Sequence, residues 1–511
     1  MHNKKAQAAA GERQPRYYAA AMHLHSTFEG TASIAGHCSE AADVGVDVVW
    51  LTDHDSRIIR EQEQLERVVM EPAETASTTD NPVLPLLINE TNCSDGAVQI
   101  RPGASPGGRN SLHLNGEDCR VRLGVTGKKE RRSLLSQVEI GLQVKPEGPF
   151  RLGIVLAQHP PDLEYQVLEY SWGLADSTLT LQPGRWNDLV LTVSQDAAAA
   201  GVSQDNTVCW FDLCAQGPVS VGDFWLEHKP PADVWRAQRE LGEQVGSRYG
   251  VTVHTATEVS ATGHHMCAFG PMPGMIDYSG KPSVEDGARI LTERGVVYSL
   301  NHPFSKWKRE ESDEQRRQEL IAERVDDYLE ANCYGAHLIE VGFPDRHGFQ
   351  LPHYLALYDR LLLAGARIAA TGVSDAHSAT GGWRGGNNYA NWIWAASPAE
   401  ADLLAGLRRG NILVGDPVLF KGTLSLTTNQ GGAPGETVQA SASQVRLVYQ
   451  DLDPAWHLVW VVDGERVAQA PLGAAAGEKT LTVSGARFVR AEIWAGERCA
   501  VFTNPIFFAP A

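Results

Sequence analysis

Several short apolar runs in this chain end in a histidine or a carboxylate. Tyr18-Ala-Ala-Ala-Met22 leads into His23-Leu-His25, and Val48-Val-Trp-Leu-Thr52 leads into Asp53-His54-Asp55. Downstream, Glu258 follows 251–257, His302 follows 296–300, Glu340 ends His337-Leu-Ile339, and Asp375 and His377 follow 368–373. Imidazole and carboxylate are the donor types that suit zinc, manganese and iron. Residues two apart on a strand share a face, so His23 and His25 can hold one ion between them. A single His-x-His pair is commonplace. Its repetition with acids and histidines at other strand ends points to one metal site, assembled where the carboxyl ends of parallel strands converge.

Such a site needs strands alternating with helices. Strands are expected near 18–24, 47–52, 251–257, 296–300, 337–341, 367–373 and 391–395, seven in all. Helical spacing fits Ala35–Val44, Ser56–Met70, Val284–Arg294, Arg309–Asn332, Leu351–Leu363 and Pro398–Arg409. That alternation is the pattern of a parallel α/β fold. Between Asn92 and Pro231 glycine and proline multiply and long helical periodicity vanishes, which predicts an inserted, jelly-roll-like β-sandwich over 93–230. Its Trp172, Trp186, Trp210 and Trp225 read first as core residues, with sugar stacking as the lesser alternative. Period-two alternation from about Leu419 predicts a C-terminal immunoglobulin-like sandwich over 417–511. The parallel α/β part is thus expected in two pieces, a barrel formed from 15–92 and 231–416.

At 511 residues, more than one core is expected. Lys plus Arg number 44 and Asp plus Glu 62, a net charge of −18, which argues against nucleic acid as the partner. A small anionic substrate stays compatible, since divalent cations would dominate the local field. The eight cysteines include no Cys-x-x-Cys pair and read as buried free thiols. No run of eighteen or more apolar residues occurs and residues 1–13 have no signal-peptide pattern, so a cytoplasmic protein off the membrane is expected. The β-sandwiches are the surfaces through which a homo-oligomer would form. No Gly-x-Ser-x-Gly elbow occurs. The glycine-rich 381–388 is not a nucleotide loop, and its place after His377 makes Arg384 a candidate for contacting an anionic substrate.

His23-Leu-His25-Ser26, Thr52-Asp-His54-Asp55, Glu258, Asn301-His302-Pro303 and Ser374-Asp375-Ala-His377 together resemble the motifs of the PHP (polymerase and histidinol phosphatase) superfamily of metal-dependent hydrolases. With its β-rich tail ending Thr503-Asn-Pro-Ile-Phe507, the chain looks most like the branch that includes carbaryl-type hydrolases. The resemblance implies a distorted seven-stranded, TIM-like βα barrel. It implies two or three divalent ions (zinc, manganese or iron) on His23, His25, His54, Glu258, His265, His302, Asp375 and His377. His264 is the alternative to His265, and Glu29 stands where the family commonly has an aspartate. By the same resemblance Glu258 bridges the ions, His54, Glu258 and Asp375 are catalytic, and His302 also meets substrate. Glu340 is either a ligand or a support behind one, and Asp53 or Asp55 would orient His54. The implied activity is hydrolysis of a small phosphate mono- or diester by a metal-bridging hydroxide. The alternatives are hydrolysis of a carbamate, ester or amide and, from another class, a carbohydrate-binding or scaffold protein with an inactive barrel.

Overall fold

The computed structural model describes residues 14–29, 32–55, 67–73, 84–94, 96–125, 133–134, 138–159, 164–228, 233–270, 282–304, 311–343, 345–346, 348–377 and 389–510. Arg384, the rest of 381–388 and the basic stretch 128–132 lie outside them. The chain divides into two compact units, one of 1–25, 37–56 and 238–511, the other of 26–36 and 57–237.

The first unit carries β1 (Arg16–Leu24), β2 (Val48–Leu51), β3 (Thr252–Thr255), β4 (Thr257–Val259), β5 (Met266–Phe269), β6 (Val297–Leu300), β7 (Leu338–Gly342), β8 (Ala369–Gly372), β9 (Ala390–Ala395) and β10 (Ile412–Gly415). Every residue of β2, β6, β7 and β8 is buried, as short apolar runs covered on both faces should be. Its helices include α1 (Val284–Glu293), α2 (Glu314–Glu330), α3 (Leu351–Leu363) and α4 (Glu400–Arg409). Ser283 caps α1 by accepting from the Asp286 N–H, and Asp313 caps α2 by accepting from Gln315 and Arg316. The charged run on α2 forms exposed pairs such as Arg316–Glu319, a solvated face.

Each of the seven expected strands is present, but among the described residues no sheet closes into a barrel. One sheet runs β3-β2-β1-β9-β10 and the other β4-β5-β6-β7-β8. Pairing is parallel for β1–β2, β2–β3, β6–β7 and β7–β8, and antiparallel for β1–β9, β9–β10, β4–β5 and β5–β6. An apolar run identifies a strand, whereas its direction depends on the connection that delivers it. Between β8 and β9 two buried amides take over from the ladder. Asn391 accepts from Gly372 N at 2.8 Å and donates to Gly372 O at 2.7 Å. Asn504 accepts from Ala370 N at 2.7 Å and donates to Ala370 O and Ile412 O, each at 3.0 Å.

The C-terminal segment is not separate from this architecture. Strand Arg498–Thr503 pairs with β10, and the sheet continues through Phe488–Ala495 and His457–Val462 to Glu465–Pro471. The expected boundary at 417 is therefore crossed by one continuous sheet. Behind it, Arg490 makes two hydrogen bonds to Asp359, at 2.8 and 2.6 Å, and one to Glu492 at 2.7 Å, all three residues being buried.

The second unit is built on one branched sheet of twelve strands, nearly all antiparallel. Strands Arg67–Ala73 and Leu84–Asn92 belong to it, so its edge lies before the boundary expected at 93. Arg67–Met70, expected to end a helix, instead pairs with Glu227–Phe224; the β-branched Val68-Val69 suits a strand. The core is aliphatic and Phe-rich, with Trp172 only packed against it. Of the four tryptophans only Trp225 is buried. Its indole covers Gly141, where a Cβ would sit 2.0 Å from the ring. Cys93 and Cys119 form a disulfide, which replaces the free-thiol reading for that pair. Such bonds persist where the surroundings are oxidising. Among the described residues no helix is long and apolar enough to cross a membrane.

Candidate metal centre

Strand ends bring the site together. β1 delivers His23 and His25, the turn after β2 His54, β4 Glu258, the residue before β5 His265, the turn after β6 His302, and the turn after β8 Asp375 and His377. The first two are locked by Thr52, whose hydroxyl accepts from Leu24 N at 3.1 Å. His25 N donates to Ala376 O and Asp375 N to His23 O, each at 3.0 Å, which ties β1 to the segment after β8. His302 (φ 29°) and Asp375 (φ 52°) both hold left-handed backbone, a strained state for residues with a Cβ that positions their side chains.

Glu258 is the hub, with only 1% of its side chain exposed. Its Oε2 lies 3.4 Å from His23 Nε2, 3.4 Å from His25 Nε2 and 3.1 Å from His54 Nδ1. Its Oε1 lies 2.9 Å from His265 Nδ1 and 3.2 Å from His302 Nε2, and accepts from Asn301 Nδ2 at 2.9 Å. One carboxylate thus presents each oxygen to a different group of imidazoles. Asp375 Oδ1 closes the first group, 3.0 Å from His25 Nε2 and 3.4 Å from His23 Nε2. His377 stacks on His25 with ring centroids 3.9 Å apart, and its side chain is 43% exposed, which marks the open side of the cluster.

Burial opposes ionisation of Glu258, but His23 and the hydrogen bonds from His23, His265 and His302 outweigh it and hold the carboxyl well below its ordinary range. For His23, burial opposes the charge, yet Cys267, Glu340, Glu258 and Asp375 raise its proton affinity well above that of free imidazole. The surroundings of the His23 ring therefore favour a cation.

The donor set fits divalent metal. The ligand atoms of His23, His25, Glu258 and Asp375 all lie within 4.8 Å of one another, as do those of His54, Glu258 and His265. His23 Nε2 is buried between two carboxylates, 3.4 Å from Glu258 Oε2 and 3.4 Å from Asp375 Oδ1, while its Nδ1 is 2.6 Å from Glu340 Oε1. A histidine held from behind by a carboxylate, with its other nitrogen aimed into a cluster of acids, is arranged as a metal ligand.

All eight residues expected as ligands take part in this cluster or stack on it. His265, not His264, faces Glu258; the His264 ring nitrogen lies 2.7 Å from Arg324 Nη1. Glu340 sits behind His23 and also accepts from His302 N at 2.6 Å. Asp53 accepts from Gln238, and Asp55 from Ser260 N at 3.3 Å. Glu29 is buried and belongs to the second unit. Sequence reasoning missed Ser260, whose hydroxyl lies 3.0 Å from His54 Nδ1, and the role of Asn301. Both had a signal: Ser260 is two residues from Glu258, and Asn301 stands beside His302.

No protein-family model matches the chain, and no curated protein matches it. Among solved structures, one similar chain is a two-domain protein from Bacteroides vulgatus containing a predicted PHP-like metal-dependent phosphoesterase. It has 10% identity and a TM-score of 0.34, over 99% of this chain and 100% of that one. Another is the C-terminal family 6 carbohydrate-binding module of a marine laminarinase from Zobellia galactanivorans, with 11% identity and a TM-score of 0.18, over 32% of this chain and 99% of that one. A third, from Clostridium stercorarium in complex with cellobiose, has 14% identity and a TM-score of 0.17, over 28% and 87%. Overlaps of this size carry no argument about function, which rests on the side chains themselves.

Proposed function

We propose that the chain is a metal-dependent hydrolase of the PHP type, in the branch that includes carbaryl-type hydrolases, and that it cleaves a small phosphate mono- or diester. The observation that carries this reading is the division of Glu258 between two sets of imidazoles, with Oε2 facing His23, His25 and His54 and Oε1 facing His265 and His302. His23, His25, His54, Glu258, His265, His302 and Asp375 would hold two divalent ions of zinc, manganese or iron, and His377 would serve a third, which when bound would supply a nucleophile at neutral pH and a positive field for the substrate oxygen.

The chain's own residues do the rest. Glu340 holds the His23 ring in one tautomer, and Asn301 fixes the Glu258 carboxylate by donating to Oε1. The fully buried floor of His23 and His25 keeps bulk water away, while half-exposed His377 and partly exposed His265 form the face that substrate approaches. Arg384 follows His377 by seven residues and is the candidate to pair with a substrate anion.

A panel of chromogenic phosphate esters set against aryl carbamates and carboxylic esters, with metal content measured on the same preparation, tests this. Metal-dependent turnover of phosphate esters is expected. Turnover of carbamates or esters alone would move the activity to the other branch of the reading, and a chain with less than one ion and no activation by added metal would remove the hydrolase reading altogether.

A further inference from the structure

A second group of chemistry-bearing side chains lies at the opposite end of the same strands. His337 stands just before β7, Arg367 just before β8, and Arg408 and Arg409 close α4 before β10. These four line a cavity of about 160 Å³ together with Gly435 and Phe507, and no carboxylate lines it. With strands rising about 3.3 Å per residue, the stretch from Ala369 to Asp375 puts this cavity on the order of 20 Å from the metal centre.

Three guanidinium groups around one cavity repel one another, and a chain of net charge −18 has carboxylates to spare. Yet among the described residues none of Arg367, Arg408 and Arg409 is in a salt bridge. Arg367 lies 3.9 Å over the Phe507 ring, which orients its plane. Arg408 donates to the carbonyl of Gly295. His337 Nδ1 is buried with no hydrogen-bond partner. At Gly435 (φ 86°) a Cβ would sit 1.8 Å from the Arg409 carbonyl, so only glycine lets this loop close against the end of α4.

Arginines in the last turn of a helix ordinarily offset its negative end. That accounts for Arg408 and Arg409, but not for Arg367 from a separate segment or for the unpartnered imidazole. We propose that this cavity, which His337 also lines, binds a phosphate-type oxyanion held by Arg367 and Arg409 through charge-assisted hydrogen bonds. A tetrahedral oxyanion and a few waters fit the space, since one water takes about 30 Å³ of liquid volume. The site is independent of the reaction proposed above.

Calorimetric titration of the full chain with inorganic phosphate, at an ionic strength fixed with chloride, reads the site. Phosphate is also the expected product at the metal centre, so Glu258→Gln is titrated in parallel. Saturable binding is expected to survive in Glu258→Gln and to weaken at least about tenfold in Arg367→Gln/Arg409→Gln. Both arginines are exposed, and Arg367→Gln alone gives the same reading if the double variant is poorly folded. Loss of binding in Glu258→Gln with retention in the arginine variants would overturn the proposal, as would no saturable binding by the unaltered chain. Glycerol phosphate, titrated alongside, binds more tightly than inorganic phosphate if the natural ligand is a phosphorylated metabolite and more weakly if it is the free ion.

Discussion

Nδ1 of His23 lies 2.6 Å from Oε1 of Glu340, both side chains being buried. Removing the charge of the acceptor without removing the ligand should loosen the ring. Glu340→Gln is expected to lower metal affinity or kcat/KM by about 10–100-fold, the usual range for a carboxylate behind a ligating histidine. Elemental analysis with steady-state kinetics checks this, and unchanged loading and turnover would show that the contact is incidental.

His25→Ala and Asp375→Ala each remove a donor facing Glu258 and should abolish turnover and lower metal occupancy. Trp186→Ala, in the second unit and half-exposed, should leave metal content unchanged. Full loading and normal rates in Asp375→Ala would place the centre on other residues.

The Arg490, Asp359 and Glu492 network predicts both a mutational and a pH effect. Arg490→Met strands two buried carboxylates and should destabilise the first unit by about 3–5 kcal/mol in urea denaturation. Burial opposes the Glu492 charge, but Arg490 and Arg466 outweigh it and hold its pKa below the ordinary value. A depressed folded-state pKa contributes stability that is fully present above the unfolded value, about 4.3. That contribution is lost as pH falls through the folded value. Denaturation midpoints between about pH 3 and 7 should therefore drop at the acid end, and less so in Glu492→Gln.

Asn504 meets Ala370 on both sides of its peptide and also accepts from the Tyr358 hydroxyl at 2.7 Å. Asn504→Leu leaves several buried polar groups unmatched, each costing roughly 1–3 kcal/mol. The first unit should unfold at clearly lower denaturant. An unchanged midpoint would mean that the amide is not what joins β8 to its neighbours.

Opening the Cys93–Cys119 bond should destabilise the second unit by about 2–4 kcal/mol, because it closes a loop of 26 residues. Thiol labelling of denatured protein, with and without reductant, should differ by two cysteines, and equal labelling would show that the pair is reduced.

The residues of the cluster could be picked out in the sequence because each stands at or close to an apolar strand. His23 lies on β1 and His25, two residues on, directly follows it, and Glu258 is two from Ser260. Strand positions were legible for the same reason, whereas pairing directions were not: β9 carries the same apolar signal whether it runs with β1 or against it. The second unit's edge was misplaced because Arg67–Met70 has apolar content without enough length to separate strand from helix. Asn391 and Asn504 gave no signal, since a lone asparagine looks like a turn residue until its partners are known.

His25 and Asp375 meet at 3.0 Å across 350 positions of sequence. Synthesis at about 5–20 residues per second leaves the first histidine pair waiting roughly 20–70 s for its acidic partner, while the whole second unit is made in between. Assembly of the full donor set is thereby a property of the longer polypeptide: a chain ending before residue 375 carries His23, His25, His54 and Glu258 but lacks the acid that closes the first group of imidazoles.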